Sequence, residues 1–492
     1  MAKVTERRRA VYYCGDCGHE SSRWMGFCPS PHCGSARPLV ERSLPATSPS
    51  GKRQRNGWTG LGSGEALELA EVSANSQPRI TFASSELNRV LGGGLVPGSV
   101  SLLTGEPGVG KSTLMLQLAH SLAASAASQN PSVAGPVLYV SGEESPVQVK
   151  LRSERMGIHG QGILLLAETD VDVILERLDQ LRPALVIVDS IQTLHSESES
   201  SGPGGIGQVR EAGLRLTRWA KTNSRPVIVS GHMTKDGSLA GPRVLEHMVD
   251  VVLHLESQES GGFRVLRATK NRFGSTDEVG VFLMSERGLD DVPDPSRAVL
   301  SSRNGPQLGA IATPVLEGTR ALLLEVQALT NFSQLPAPRR VANGVDHNRL
   351  LMLTAVASRR TGLELGGQDV IVSVAGGFRA AEPAADLAIL LAIASCYRNA
   401  PLPSAAAFGE VGLSAELRAV PQAQRRINEA ARLGLKRCFL PSVSVPAVEA
   451  PPGMQLIGAE TVGQAIRAAL APPGDEVDAV FAGIKPPGQR SQ

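Results

Sequence analysis

Residues 100–113 decide the fold, and they read Val100-Ser-Leu-Leu-Thr104-Gly105-Glu-Pro-Gly-Val-Gly110-Lys111-Ser112-Thr113. The stretch joins an apolar run, typical of a buried β-strand, to the full phosphate-loop pattern G-x-x-x-x-G-K-[ST]. Leu114, Leu118 and Leu122 follow at helical spacing. Strand, glycine-rich loop and helix in this order are the arrangement that the pattern requires, so we predict a nucleotide-binding α/β domain here.

The loop residues have separate expected tasks. Gly105, Gly108 and Gly110 allow the tight turn that directs backbone N–H groups at phosphates. Lys111 is expected to bind the β- and γ-phosphates of ATP, and the Ser112 hydroxyl to ligate Mg²⁺. Thr113 opens the helix, whose N-terminus favours an anion. The predicted nucleotide-binding set is the whole loop: Gly105, Glu106, Pro107, Gly108, Val109, Gly110, Lys111, Ser112 and Thr113.

Two acidic positions downstream complete a hydrolytic site. Leu185-Val-Ile-Val-Asp189 is an apolar run that ends in a carboxylate, so Asp189 is the expected second Mg²⁺ element beside Ser112. Val137-Leu-Tyr-Val-Ser-Gly-Glu143-Glu144 places two acids after another run. A Glu at the carboxyl end of a parallel strand can deprotonate the attacking water. We predict Glu143 as this base, with Glu144 as the alternative.

Apolar runs and helical stretches alternate from residue 78 to 300, which predicts a mostly parallel sheet with helices on both faces. A second alternating block spans 301–472, and the segments 41–77 and 473–492 have the Ser, Gly and Pro content of a flexible linker and tail. The predicted strands are Ser99–Thr104, Val137–Ser141, Ile163–Leu166, Ala184–Asp189, Arg225–Ser230, Val249–Glu256, Ala321–Ala328 and Val370–Ala375, and a helix is predicted over Ala384–Ser395.

Residues 1–40 contain four of the six cysteines: Cys14, Cys17, Cys28 and Cys33. Four thiolates around Zn²⁺ would make a closed structural site in a segment too short to bury a core alone. The second pair has the looser spacing C-x₄-C, so His32 or His19 remains a possible substitute for one thiolate. Arg23, Trp24 and Phe27 lie between the pairs, where they would either contact nucleic acid or cap a small core.

Composition excludes several classes of protein. Hydrophobic residues make up 42% of the 492 residues, as in ordinary globular domains, and the net charge of +2 gives no global attraction to nucleic acid. No apolar run approaches the length of a membrane span, and the basic N-terminus lacks the apolar stretch of a secretory signal. The clustered cysteines favour a reduced compartment, so we expect a cytoplasmic protein without a membrane segment.

Several motifs together resemble the bacterial RadA (Sms) family of DNA repair proteins. They are the cysteine segment, the phosphate loop, Tyr139-Val-Ser-Gly-Glu-Glu-Ser145, Gly231-His-Met-Thr-Lys-Asp-Gly237, Gly241-Pro-Arg-Val-Leu-Glu-His-Met-Val-Asp250 and Lys270-Asn-Arg-Phe-Gly274. The spacing of the second cysteine pair departs from the family's usual C-x₂-C. The resemblance implies a RecA-like P-loop ATPase core with a small N-terminal zinc knuckle and a C-terminal α/β domain.

The resemblance also implies an activity. Members are DNA-dependent ATPases that form hexameric rings, bind single-stranded DNA and drive branch migration at recombination intermediates, in the company of the recombinase RecA. By pattern alone, Lys270 and Arg272 would be a basic hairpin. The family assigns them to ATP turnover and DNA contact between subunits. Lys235 and Arg243 are the cationic candidates on a DNA-facing loop.

The C-terminal block resembles the proteolytic domain of Lon proteases, which raises a rival activity. The segment matching the nucleophile has Ala384 in place of Ser, and Arg425 stands in place of the catalytic Lys. Alanine offers no nucleophile and arginine no neutral base, so we expect no peptidase. Six arginines of this block form either a basic DNA-binding patch or a scattered solvated face: Arg359, Arg360, Arg379, Arg418, Arg425 and Arg426. A second rival is a regulatory ATPase of the circadian-clock type without a DNA role.

Overall fold

The structure is a computed structural model. It describes residues 10–14, 20–21, 23–29, 33, 38–43, 68, 78–126, 135–199, 201–202, 204–232, 244–258, 262–299 and 306–471. The predicted site residues Cys17, Lys235 and Arg243, the alternative ligands His19 and His32, most of the predicted linker and the predicted tail lie outside these ranges.

The N-terminal segment forms a small antiparallel sheet in the order β2-β1-β3. Its strands are β1 (Ala10–Tyr13), β2 (Glu20–Ser21) and β3 (Val40–Ser43). Strand β3 crosses the domain boundary that the sequence analysis put after residue 40, because Val40 to Ser43 pair with β1.

The central unit is a nine-stranded sheet in the order β12-β11-β10-β9-β4-β8-β7-β5-β6. Strands β9, β4, β8, β7, β5 and β6 run parallel, and β10, β11 and β12 extend the sheet in antiparallel pairs. The strands are β4 (Val100–Gly105), β5 (Val137–Ser141), β6 (Ile163–Leu166), β7 (Leu185–Asp189), β8 (Val227–His232), β9 (Val251–Ser257), β10 (Phe263–Asn271), β11 (Val279–Ser285) and β12 (Gly288–Asp291). The helices are α1 (Ser85–Val90), α2 (Lys111–Ala126), α3 (Pro146–Arg155), α4 (Val171–Leu181) and α5 (Ile206–Asn223).

The central strands are buried because helices cover both faces of the sheet. Every residue of β4, β5 and β7 is buried. Alternate residues of one strand enter different cores: Leu103 packs in the cluster that contains Leu114 of α2, and Leu102 in the cluster that contains Leu216 of α5. This layering places the loop between β4 and α2 at the carboxyl edge of the parallel strands.

A second sheet of seven strands follows in the order β15-β16-β14-β13-β17-β20-β21, beside a two-stranded pair, β18-β19. Its hydrophobic core surrounds α8, whose residues from Asp386 to Ser395 are all buried. The strands are β13 (Ala310–Glu317), β14 (Arg320–Phe332), β15 (Arg340–Asn343), β16 (Gln368–Val374), β17 (Ala406–Ala407), β18 (Glu410–Val411), β19 (Leu417–Arg418), β20 (Arg437–Pro441) and β21 (Gln455–Ala459). The helices are α6 (Pro295–Val299), α7 (His347–Arg360), α8 (Asp386–Arg398), α9 (Ala423–Arg432) and α10 (Val462–Leu470).

The two large sheets share contacts. Phe263 of β10 packs against Phe378, with ring centroids 5.2 Å apart, and Arg267 of β10 pairs with Glu317 of β13 at 2.5 Å. The α/β class predicted for both units is confirmed. Among the described residues, no helix combines the length and the apolar character that a membrane crossing needs.

Candidate active site and cysteine cluster

The phosphate loop follows β4 directly and leads into α2, as the sequence predicts. Gly105, Gly108 and Gly110 all adopt positive φ, at 153°, 77° and 115°, which L side chains rarely adopt. A Cβ atom on Gly105 would lie 2.4 Å from the carbonyl oxygen of Leu255, so this position also lacks space for a side chain. The glycines are therefore required by the path of the backbone.

Lys111 is the first residue of α2, and its ammonium group lies inside the curve of the loop. Nζ donates hydrogen bonds to the carbonyl oxygens of Gly105 at 2.9 Å and Glu106 at 3.0 Å. Burial lowers the pKa of Lys111, and the carboxylates of Asp189 and Glu143 oppose this shift. The cation is therefore close enough to both predicted acidic residues for their charges to act on it. Ser112 follows in the first turn of α2.

Asp189 ends β7 and is held by two hydroxyl groups that the sequence analysis did not identify. Tyr139 of β5 donates to Oδ2 at 2.8 Å, and Ser230 of β8 donates to Oδ1 at 2.6 Å. Burial raises the pKa of Tyr139 well above its usual range, and Asp189 adds to this, so the phenol stays a donor. The carboxylate is therefore fixed in orientation, as expected of a group that helps to hold a metal ion.

The adjacent acids Glu143 and Glu144 point to different partners. The Ser190 hydroxyl, beside Asp189, donates a hydrogen bond to Oε1 of Glu143. Glu144 instead forms an ion pair with Arg152 of α3. The charge of Glu143 acts on Lys111 and its carboxylate contacts the neighbour of Asp189, whereas Glu144 pairs with Arg152, and this favours Glu143 as the base.

Arg264, at the start of β10, is a contact of the loop that the sequence analysis missed. Its Nε donates to the carbonyl oxygen of Val109 at 3.0 Å. The two residues are 155 positions apart in the chain, and no motif of the sequence links them. Arg264 therefore helps to position the loop from the antiparallel part of the sheet.

Lys270 and Arg272 lie at the other end of β10. Lys270 Nζ donates to the carbonyl oxygens of Glu246 at 2.6 Å and Val249 at 2.7 Å. Burial lowers the pKa of Lys270, and the charge of Arg272 adds to this. The half-exposed Arg272 pairs with Oδ1 of Asp250 at 3.4 Å, while Oδ2 of Asp250 accepts a hydrogen bond from the backbone N–H of Val100 at 3.1 Å.

The pairing of β10 with β9, and of β9 with β4, separates Lys270 and Arg272 from the phosphate loop of their own chain. Lys270 pairs with Val252 near the amino end of β9, whereas Gly105 pairs with Leu255 towards its carboxyl end. Asp250, the partner of Arg272, contacts Val100, the first residue of β4. At 3.3 Å per residue, β4 separates its two ends by about 17 Å. Lys270 and Arg272 are therefore at the sheet edge opposite the loop.

Three of the four predicted zinc ligands converge. The Sγ atoms of Cys14, Cys28 and Cys33 all lie within 4.8 Å of one another, and those of Cys14 and Cys33 are 3.8 Å apart. Four sulfurs at 2.3 Å from a tetrahedral Zn²⁺ are separated by about 3.8 Å, so the geometry fits this ion. Cys14 and Cys28 are also buried, as in a closed structural site.

The two C-terminal positions that correspond to the peptidase dyad are occupied by residues of the packed fold. Ala384 is buried, and Arg425 donates to the carbonyl oxygen of Thr319 at 3.0 Å. The arginine that contacts the segment before Ala384 is Arg426, which is fully buried and donates to both carboxylate oxygens of Glu382 at 2.5 and 2.7 Å. Including Arg426 in a surface patch was therefore wrong, because its charge is neutralised inside the fold.

The chain is similar to known proteins along most of its length. A family model described as an AAA domain matches residues 66–238. DNA repair protein RadA of Bacillus subtilis (strain 168) is 43% identical over 96% of this chain and 100% of its own length. The proteins of the same name from Pseudomonas aeruginosa and Escherichia coli (strain K12) are 44% and 42% identical, each over 95% of this chain and 99% of their own length. A solved structure, described as the RadB recombinase, covers 43% of this chain and 99% of its own at 25% identity, with a TM-score of 0.34.

Proposed function

The chain belongs to the family of bacterial DNA repair protein RadA, and from that premise we propose that it is a DNA-dependent ATPase of recombinational repair. In this proposal it binds single-stranded DNA and uses ATP hydrolysis to promote branch migration at recombination intermediates, alongside a RecA-type recombinase. The matched AAA domain contains the phosphate loop, and this supports ATP hydrolysis as the source of energy.

The proposed reaction uses residues that end or follow three parallel strands, β4, β5 and β7, at the same edge of the sheet. The backbone N–H groups of the loop and the Lys111 ammonium bind the β- and γ-phosphates of ATP. Ser112 and Asp189 would hold Mg²⁺, which neutralises charge on the phosphate oxygens when bound. The Glu143 carboxylate orients water and accepts its proton as the water oxygen attacks the γ-phosphorus. The bond between the γ-phosphorus and the oxygen that bridges it to the β-phosphorus breaks, so that ADP leaves and inorganic phosphate forms. The contact of Ser190 with Glu143 supports this assignment, since it directs the carboxylate towards Asp189.

The observation that carries the proposal furthest is the position of Lys270 and Arg272. Both lie towards the end of β4 that is away from the phosphate loop of their own chain, and Arg272 is half exposed. We infer that they complete the ATP site of a neighbouring subunit, where an arginine stabilises the charge that develops during phosphoryl transfer. In the proposed hexameric ring, each subunit would supply its phosphate loop to one ATP site and its Lys270 and Arg272 to the ATP site of a neighbour.

The DNA-binding part of the proposal rests on the family and on local cations. Lys235 and Arg243 belong to the segment after β8, the strand that ends beside Gly105 of the phosphate loop. We propose that Lys235 and Arg243, with Lys270 and Arg272, contact DNA phosphates, which would make binding weaken as the salt concentration rises.

We also propose a structural Zn²⁺ ion in the N-terminal segment, bound by Cys14, Cys17, Cys28 and Cys33. The spacing of the Cys14 and Cys33 sulfurs supports a tetrahedral site. A closed set of four thiolates leaves no position for substrate, so this ion would stabilise the small sheet.

The test is the rate of ATP hydrolysis with and without single-stranded DNA. We expect DNA to increase the rate in the full chain, and the increase to fall as salt weakens binding. The Lys111→Ala variant is the matched control, because it should remove hydrolysis under both conditions. A rate that DNA does not change, together with no binding in a gel-shift assay, would favour a regulatory ATPase and overturn the DNA-dependent motor.

A further inference from the structure

Two aromatic rings are exposed on the loop that joins the cysteine pairs. Trp24 is 61% and Phe27 is 59% exposed. In contrast, Trp219 of α5 is 7% exposed and donates to Asp179 at 2.8 Å. The alternative that Trp24 and Phe27 cap a small core is therefore wrong, and water contacts both rings.

Met25, which lies between Trp24 and Phe27 in the chain, anchors the loop to the cysteine cluster and leaves the two rings facing outward. Met25 packs against the buried group formed by Cys14, Cys28 and Leu39. Its carbonyl oxygen accepts a hydrogen bond from the backbone N–H of Leu39 at 2.9 Å. Since Met25 is anchored inward, its neighbours face solvent without a change in the fold, and such a preorganised surface loses little entropy on binding.

A glycine lies between the two aromatic residues in the chain. Gly26 separates Met25 from Phe27 and carries no side chain; a Cβ atom there would lie 4.0 Å from Cη2 of Trp24. The far edge of the indole ring therefore lies close to Gly26. Two flat apolar side chains are thus exposed within four residues of the chain.

The composition of the N-terminal segment favours a polyanion as its ligand. Arg23 precedes Trp24 and is exposed. Residues 1–43 contain seven Lys or Arg and four Asp or Glu, although the chain as a whole is nearly neutral. Unpaired bases present flat faces to aromatic rings, while their phosphates attract cations. In a duplex those faces are stacked on one another and cannot reach the rings.

We propose that Trp24 and Phe27 form a stacking platform for unpaired bases of single-stranded DNA, with Arg23 contacting the phosphate beside them. The platform rests on the proposed DNA-binding function and adds a second contact site, in the zinc-binding segment. It recognises the faces of the bases, in contrast to the backbone contacts proposed for Lys270 and Arg272. It therefore requires bases and tolerates any sequence.

The test compares two ligands that differ only in their bases. Binding of the full-length, zinc-loaded protein with an ATP analogue is measured by fluorescence anisotropy to oligothymidylate and to an abasic phosphodiester strand of equal length. We expect the wild type to prefer oligothymidylate. The double substitution Trp24→Ala and Phe27→Ala should weaken that binding at least about 5-fold, since stacking contributes 1–3 kcal/mol per base, and leave binding to the abasic strand unchanged.

Three controls test whether loss of the two aromatic rings, and no other change, lowers the affinity. Trp24→Phe with Phe27→Tyr keeps two rings and should retain the preference. Leu413→Ala removes a 70% exposed apolar side chain elsewhere and should change neither affinity. Zinc content is measured for every variant, and Trp24→Leu with Phe27→Leu replaces the alanine pair if that pair loses zinc.

The outcomes distinguish failure of the stacking platform from failure of the proposed DNA-binding function on which it rests. If the ring-free variant binds both strands as the wild type does, or if the wild type binds both strands equally, the platform is refuted while single-stranded DNA binding stands. If the wild type binds neither strand, the proposed function fails and the platform fails with it. Loss of affinity for a protein partner with unchanged binding to DNA would identify the rings as a protein-docking surface and overturn the platform.

Discussion

Glu143→Gln is the substitution that most sharply separates chemistry from binding. It removes the carboxylate that we propose as the general base, while an amide of similar size can still accept the hydrogen bond from Ser190. The neighbouring Glu144→Gln is a matched control, because the same change is made one residue away in a side chain that pairs with Arg152.

The two substitutions should change kcat by very different factors. General-base catalysis contributes about 10²- to 10⁴-fold, so the kcat of Glu143→Gln should fall by this factor, equivalent to about 3 to 5 kcal/mol in the barrier. The Glu144–Arg152 pair is partly exposed, at 31% and 20% of the two side chains. Its loss should therefore cost about 1 kcal/mol of stability or less and leave kcat almost unchanged.

The assay is steady-state ATP hydrolysis alongside equilibrium binding of a fluorescent ATP analogue. Both variants should bind the analogue as the wild type does, since Lys111 and the loop are intact. A Glu143→Gln enzyme with wild-type turnover would refute the assignment. If Glu144→Gln lost turnover instead, the base would be Glu144 and its ion pair with Arg152 would have to open during catalysis.

Three further perturbations test other parts of the account. Lys111→Ala should abolish binding of the ATP analogue while leaving the circular dichroism spectrum unchanged; retained binding would contradict the role of the loop cation. Cys14→Ser should lower the zinc content measured by mass spectrometry, and a full zinc content would exclude Cys14 as a ligand. Hydrogen bonds from Arg432 lower the pKa of Asp294 to about 2, so Asp294 stabilises the fold above its unfolded pKa of roughly 4, and this stability is lost as the pH falls towards 2. Asp294→Asn should therefore lower the melting temperature at pH 7 by an amount equivalent to about 1 kcal/mol or less, with no effect near pH 2; an equal effect at both pH values would contradict this.

The parallel part of the nucleotide-binding sheet could be predicted from the sequence because its signals are local. Continuous apolar runs mark strands that are buried on both faces, and the phosphate loop fixes the strand and helix on either side of it. Val137–Ser141, which is wholly buried, and Ile163–Leu166, a partly exposed edge strand, were both predicted with the bounds that the structure shows.

The antiparallel extension of that sheet could not be predicted in the same way. Strand β10 carries Arg264 at one end and Lys270 at the other, and only its pairing with β9 places these residues at opposite edges. That register depends on partners far away in the chain. Lys270 and Arg272 do lie in a hairpin, because β10 and β11 pair antiparallel and Arg272 is in the connection between them, but the local pattern does not give the pairing of β10 with β9.

The side chains that orient the site were missed for a related reason. Tyr139 and Ser230 lie within apolar runs that were correctly predicted as strands or as parts of them, but their contacts with Asp189 depend on the strand order β8-β7-β5. Burial of Arg426 follows from its long-range contacts with Glu382 and Pro314. Charge alone suggested an exposed position for it.

The central claim is that neighbouring subunits share each ATP site, and mixing two inactive variants tests it most directly. Lys111→Ala subunits lack the loop cation but retain Arg272, whereas Arg272→Ala subunits retain the loop. If Arg272 acts on a neighbouring site, co-assembled mixtures contain complete sites, and their ATPase rate should exceed that of either variant alone. A mixture that is shown by affinity capture to co-assemble, yet hydrolyses ATP no faster than the average of its components, would contradict the shared site.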